Sequence, residues 1–459
     1  MNKKQNVNAN VRHVIASVAK QSLAALAFAG IAAGFVACGD DSSSSVGPND
    51  DEEIASSSSE SDVSSSSKND KSSSSVKKGK SSSSEKTEGD SSSSKKDKSS
   101  SSVKEESSSS TEEVSSSSEA KEELKYIGAI FEGDYTAGPE GNLRMIDKDG
   151  KLSKSTLSFY QDSRVAVNGS YVYVMEGLSV DNITKVNPEL ISEGAEKAVE
   201  WQVSFAYANP VDMAFDGDYA WVALQNADSL VKISTEDGKV VKSIKTGEYS
   251  YEGESSPYVA DIEIKDGQLY VLMQRYTMDL ATWATTYPKG LLAVYDASTG
   301  ELKKTIELAT KNPQKMTFFK DELYVATLGE YNDLSGTDAD NKRGIEKVDL
   351  TAKKSQLIIS GEKLGAGAYS LTEDNGIAYV AVMKAWGSSP IVKVDLESKK
   401  VTEIDGIADA QWSVAYKNGV LYVGDHANSE AKVYVYKDSK LTALETPEGA
   451  LPTYSIALF

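Results

Sequence analysis

Tyr270-Val271, Tyr324-Val325, Tyr379-Val380 and Tyr422-Val423 repeat one phrase along the chain, with variants at Tyr126-Ile127, Tyr173-Val174 and Trp221-Val222. The seven aromatic positions lie 47, 48, 49, 54, 55 and 43 residues apart. Aromatic and β-branched residues side by side favour strands. A near-constant period of about 50 residues built from such strands predicts a β-propeller, with four antiparallel strands per blade.

Each repeat can be written out around the phrase. An apolar-alternating strand comes first, as in Val211-Asp212-Met213-Ala214-Phe215. A tight turn follows: Asn168-Gly169, Asp216-Gly217, Asp266-Gly267, Asn375-Gly376 or Asn418-Gly419. These dipeptides suit the positive φ angles of two-residue hairpins. The fourth repeat has Asp321-Glu322 there and needs another turn. The aromatic-Val strand is second, and a third ends in Asp147, Asn187, Asp296, Asp349 or Asp395. A further hairpin, such as Asp237-Gly238-Lys239, leads into the fourth.

Six complete repeats begin near Asp162, Pro210, Ala260, Pro313, Ala368 and Asp409. The seventh is split. Tyr126 to Phe159 supplies three strands without a first, and Pro452 to Phe459 supplies a first strand alone. Joined, they close the ring and remove the free sheet edges of a linear array. The expected fold is therefore all-β: a seven-bladed propeller whose last blade takes strands from both termini.

Segments such as Asp216-Gly217-Asp218-Tyr219-Ala220-Trp221-Val222, through Lys239-Val240-Val241, resemble the YVTN-type propeller repeat and the lactonase-like and quinoprotein-like propellers around it. The resemblance covers nearly all of residues 122–459. It implies the fold and little about function, because these folds host many activities. The Gly-His and Trp-Asp marks of WD40 repeats and the Gly-Gly mark of kelch repeats are absent.

The front of the chain is different material. In residues 1–37, Lys3, Lys4, Arg12 and Lys20 precede an uncharged apolar run from Ser22 to Ala37. Such a run rises only about 24 Å as a helix, too short for a comfortable span, and reads as a signal peptide. It ends in Phe35-Val36-Ala37-Cys38-Gly39, which resembles the lipobox of bacterial lipoproteins, with Phe35 where Leu is usual. Cys38 is the only cysteine, which rules out an intramolecular disulfide and thiolate metal sites. The resemblance implies lipidation of Cys38, and Gly39 after it implies the outer membrane. Residues 38–121 then carry nine blocks of four serines between short charged spacers, with almost no apolar residues. Such a segment forms no core and is expected to be a disordered tether.

Residues 122–459 carry about −17 of the formal charge of −20. An acidic body argues against nucleic-acid binding. Its long loops are expected on one face, formed by the second-to-third loops and the blade-to-blade connections. Tyr270 and Tyr295 are 25 residues apart and Tyr324 and Val348 are 24 apart, against 13 between Tyr173 and Val186. The insertions bring Tyr276, Trp283, Tyr287 and Tyr331 to that face. Trp386 sits in the fifth repeat's loop, and Trp412 near the sixth inner strand and the channel. Aromatics beside carboxylates can stack on sugar rings or clamp a peptide; they can also simply pack the loops down.

Asp333, Asp338 and Asp340 offer oxygen ligands for a hard cation, but Lys342 and Arg343 break the EF-hand pattern, and an acidic solvated loop is the plainer reading. His426, beside Asp425, is the one histidine after His13. Any Ser–His–Asp arrangement would be built on it. No phosphate-cradling glycine loop or haem motif is present, so no cofactor is expected. The expected function is a monomeric binding module at the cell surface, recognising a glycan, protein or small ligand. The alternatives are a lactonase-like hydrolase and an assembly factor for outer-membrane proteins, the latter also resembling known propeller lipoproteins.

Overall fold

The computed structural model describes residues 124–134, 138–178, 180–279, 281–282, 284–331, 342–427 and 432–459. Cys38, the signal segment, the serine-rich stretch, Trp283, Asp333, Asp338 and Asp340 lie outside the described residues.

Among the described residues there are seven four-stranded antiparallel sheets. Blade 1, the first complete repeat, runs Ser163–Asn168, Tyr171–Glu176, Asn182–Val186 and Val199–Ser204. Blades 2 to 6 open on Pro210–Asp216, Val259–Lys265, Pro313–Phe319, Gly367–Asp374 and Val414–Lys417. Blade 7 joins Tyr126–Gly133, Glu140–Asp147 and Leu152–Tyr160 to the C-terminal strand Thr453–Leu458. Each first strand packs beside the first strand of the next blade, and Thr453–Leu458 lies between Val414–Lys417 and Ser163–Asn168. The chain is an all-β, seven-bladed propeller closed by both ends.

The Tyr-Val phrase explains why blades stack. Successive residues of a strand face opposite sides of the sheet. Val174, Val222, Val271, Val325, Val380 and Val423 are buried against the preceding blade. Tyr173, Trp221, Tyr270, Tyr324, Tyr379 and Tyr422 point into the following one. The apolar residues thus divide into seven clusters, one at each blade–blade interface. Burying one such aromatic is worth about 2–3 kcal/mol.

Blade 7 departs from the expected alignment. Ile130 stands opposite Ile456, as Val174 stands opposite Val165, so Ala129-Ile130 holds the place of the phrase. Tyr126 instead begins its strand at the short-hairpin face. The hairpins also differ in register. Asp266-Gly267, Asn375-Gly376 and Asn418-Gly419 form loops with both φ angles positive. In blades 1 and 2 the loop residues are Gly169-Ser170 and Gly217-Asp218, with glycine first. In blade 4, Lys320 takes the left-handed position that glycine holds elsewhere.

The first strands are also joined directly around the channel. One position before the residue paired with the phrase's valine, or with Ile130, they carry Arg164, Asp212, Asp261, Lys315, Ser370, Ser413 and Ser455. Asp212 accepts the Ile262 amide at 3.2 Å, Asp261 the Met316 amide at 2.8 Å, and Ser455 the Val165 amide at 3.1 Å. Arg164 donates to the Val211 carbonyl at 3.2 Å and Ser413 to the Thr453 carbonyl at 2.7 Å. Each contact crosses to the next blade. Lys315 has no acceptor to offer its neighbour. It turns back to pair with Asp261 and, at 3.4 Å, with Asp212. Burial in this acidic corner pushes the Glu263 carboxyl up to about 7, against the pull of Lys315.

Two predictions follow from the ring. Deleting Pro452 to Phe459 removes the first strand of blade 7 and exposes two interfaces, so the shortened chain should aggregate or lose its cooperative melting transition. An unchanged transition would contradict closure by that strand. For Glu263, the unfolded carboxyl titrates near 4.5 and the folded one near 7, so in that window the folded state holds the additional proton. Stability should therefore rise as pH falls from about 7 toward 4.5, by roughly 1–2 kcal/mol once solvent screening is allowed for. Denaturant melts across that range should show Glu263→Gln flattening this slope; parallel profiles for the two proteins would overturn the assignment.

Candidate functional site on the long-loop face

The start of each first strand and the end of each second strand lie together around one mouth of the channel. Five first strands carry a β-bulge there, whose additional residues are Val211, Ala260, Gln314, Tyr369 and Tyr454. A bulge re-aims a side chain without breaking the sheet. In blades 5 and 7 the re-aimed residue is a tyrosine.

These two rings meet Trp412. Tyr369 and Trp412 lie 5.5 Å apart edge to face, Trp412 and Tyr454 6.1 Å apart, and His426 stands 4.2 Å from Tyr454. The Arg164 guanidinium, from blade 1, lies 5.6 Å from the Trp412 ring centre. Tyr369, Trp412, His426, Tyr454 and Arg164 are all partly exposed. Burial among neighbours pushes the Tyr369 and Tyr454 hydroxyls upward, so both stay protonated donors near neutral pH.

The aromatic surface continues toward blades 3 and 4. Tyr258 and Tyr276 stack at 3.9 Å, and Tyr276 lies 5.3 Å from Tyr287. The Tyr258 hydroxyl donates to Glu254 at 3.0 Å. Tyr331 meets Trp386 at 6.4 Å. After burial, the neighbouring Tyr331 and Tyr287 push the Tyr369 hydroxyl further up. The result is an aromatic arc from blade 3 round to blade 7.

Five of the aromatics singled out from sequence thus fall in this arc: Tyr276, Tyr287, Tyr331, Trp386 and Trp412. Their exposures differ. Trp386 is 59% exposed, whereas Tyr287 is 6% exposed and supports its neighbours from below. Tyr258, Tyr369, Tyr454 and Arg164 were not singled out. Their signal is positional: each lies within two residues of the start of a first strand.

His426 is built into the same wall. Its Nε2 lies 3.0 Å from Ser413 Oγ, which also donates to the Thr453 carbonyl. A catalytic triad needs a carboxylate on the other ring nitrogen. Here Nδ1 is buried with no hydrogen-bond partner. Asp425 is occupied with the backbone amides of Ala408, Asp409 and Ala427. Burial lowers the imidazole to about 4, so it is neutral at neutral pH. Ser413 is fully buried. The pair therefore reads as a strut between blades 6 and 7.

A cleft of about 460 Å³ opens on the opposite face, lined by Asp216, Asp266, Asp296 and Lys303. Two of its acids are engaged: Asp216 holds Lys232 at 2.7 Å, and Asp296 accepts the amides of Ser298 and Thr299. The aromatic arc, with its outward-facing rings, is the better candidate for recognition.

No protein-family model matches the chain, and no curated protein matches it in sequence. Solved structures match it in fold. Putative 6-phosphogluconolactonases from Bacteroides uniformis and Bacteroides fragilis are each 13% identical, with TM-scores of 0.50 and 0.48. The alignments cover 72% of this chain and 99% of the first, and 73% and 98% for the second. AztD from Citrobacter koseri is 12% identical over 73% of this chain and 97% of its own, with a TM-score of 0.42. At 13% identity, the likeness to the first of these speaks for the fold alone.

Proposed function

We propose that the chain is a displayed recognition module whose long-loop face binds a glycan. The observation that carries this reading is the aromatic arc at the channel mouth, centred on Tyr369, Trp412 and Tyr454. Partly exposed rings offer apolar faces to the C–H side of a sugar. Arg164 and the protonated tyrosine hydroxyls supply nearby polar groups to fix orientation. A flat protein partner would ask for a broader exposed apolar surface than these half-buried rings provide.

In the same reading, residues 1–37 direct export, Cys38 is lipidated, and residues 38–121 tether residues 122–459 to the outer membrane. The propeller then works outside the cell as a monomer. The tether favours display over an assembly factor working at the membrane surface, which needs little reach. A hydrolase built on His426 is disfavoured by the unpartnered Nδ1 and the buried Ser413.

Two measurements check this. Trp412→Ala and Trp386→Ala should each weaken glycan binding by about 5- to 30-fold, the loss of about 1–2 kcal/mol of ring contact. Trp386 is exposed, so its replacement leaves the melting transition in place; binding that survives both changes sinks the site. Protease treatment of intact cells should remove the propeller from the cell fraction. Protection until the outer membrane is opened would instead put the propeller in the periplasm.

A further inference from the structure

The connection from blade 1 to blade 2 holds Tyr207 with its side chain 76% exposed, in the left-handed region at φ +64°. A bulky residue rarely adopts that conformation. It is held by Asp181, itself 1% exposed, whose carboxylate accepts the amides of Tyr207 at 2.8 Å and Asn209 at 2.9 Å. Asp181 O also accepts the Phe205 amide at 2.7 Å. Beside it, Leu178 is 41% exposed at φ +42° and donates its amide to Asn209 Oδ1 at 3.3 Å. A buried acid and two strained bulky residues therefore position an apolar ring and a leucine in solvent.

This platform is continuous with the channel mouth. Gly177 donates its amide to the Asp162 carbonyl, and a Cβ on Gly177 would lie 2.5 Å from Asn209 Oδ1 and 2.8 Å from Asp162 Oδ2. Asp162 stands two residues before Arg164, whose guanidinium lies 5.6 Å from the Trp412 ring centre, and Val165 of the same strand donates its amide to Ser455 Oγ, next to Tyr454. From Arg164 the path runs through Asp162 and Gly177 to Leu178 and, through Asn209 and Asp181, to Tyr207.

We propose that the glycan-binding face extends along this path, with Tyr207 and Leu178 as an outer subsite, and that the ligand is a chain of several sugar units rather than a single terminal sugar. This rests on the glycan reading above. The terminal unit lies against Trp412 and Tyr454, and a later unit stacks on Tyr207.

The test uses the full-length lipoprotein in detergent, titrated with disaccharides and hexasaccharides of neutral β-linked glucose, xylose and N-acetylglucosamine. Tyr207→Ala should weaken hexasaccharide binding by about 5- to 10-fold and leave the disaccharide unchanged, while Tyr207→Phe keeps the ring and the affinity. Trp412→Ala should weaken both lengths. If Trp412→Ala abolishes binding but Tyr207→Ala acts on both lengths alike, or on neither, the outer subsite is wrong and the glycan reading stands. If the wild-type protein binds none of these sugars, or Trp412→Ala changes nothing, both fall. Melting curves of the Tyr207 variants should overlay the wild type, because the replaced ring is in solvent.

Discussion

The structure depends on one division of labour within a two-residue phrase. In each complete blade the second strand sends its aromatic side chain into the following blade and its valine into the preceding one. Neither interface closes without residues from two repeats, so no blade buries its own core. The aromatic size matters on one side only: Ala129 stands in that place in blade 7, and the cluster there is filled by Phe131, Leu143 and Met145. The ring tolerates one such substitution because the remaining residues of the cluster supply the volume.

Polar contacts near the channel complete what the apolar clusters begin. Asp212, Asp261 and Ser455 each accept the next strand's amide, and Arg164 and Ser413 reach the next carbonyl. These bonds are directional, so at five of the seven junctions they set the height of one blade against the next, which hydrophobic burial does not do. Two positions break the series: Ser370 Oγ is buried without a hydrogen-bond partner, and Lys315 is held by the acids of the two blades before it. The cost is a carboxylate-rich corner, visible in the raised Glu263.

Most of the architecture was legible in the sequence because it rests on period and alternation. The spacing of the phrase, the turn dipeptides and the split repeat are local features, and the seven sheets reproduce them. Alignment within blade 7 was not legible, since Tyr126-Ile127 and Ala129-Ile130 both suit a strand and only pairing with Ile456 separates them. The site was legible in part. Loop length pointed to Tyr276, Tyr287 and Tyr331, but Tyr369 and Tyr454 reach the mouth through bulges, and a bulge is a property of two paired strands. Tyr207 carried no signal at all: its exposure comes from Asp181, 26 residues away.

The split blade also has a mechanical meaning. The folded body begins at Lys125 and Tyr126, where the second strand of blade 7 rises from the short-hairpin face toward the long loops. A pull on the front of the chain is applied at that face and along that strand. The strand is flanked by antiparallel ladders on both sides, to Glu140–Asp147 and to Thr453–Leu458. Load along it shears many hydrogen bonds at once instead of unzipping them singly.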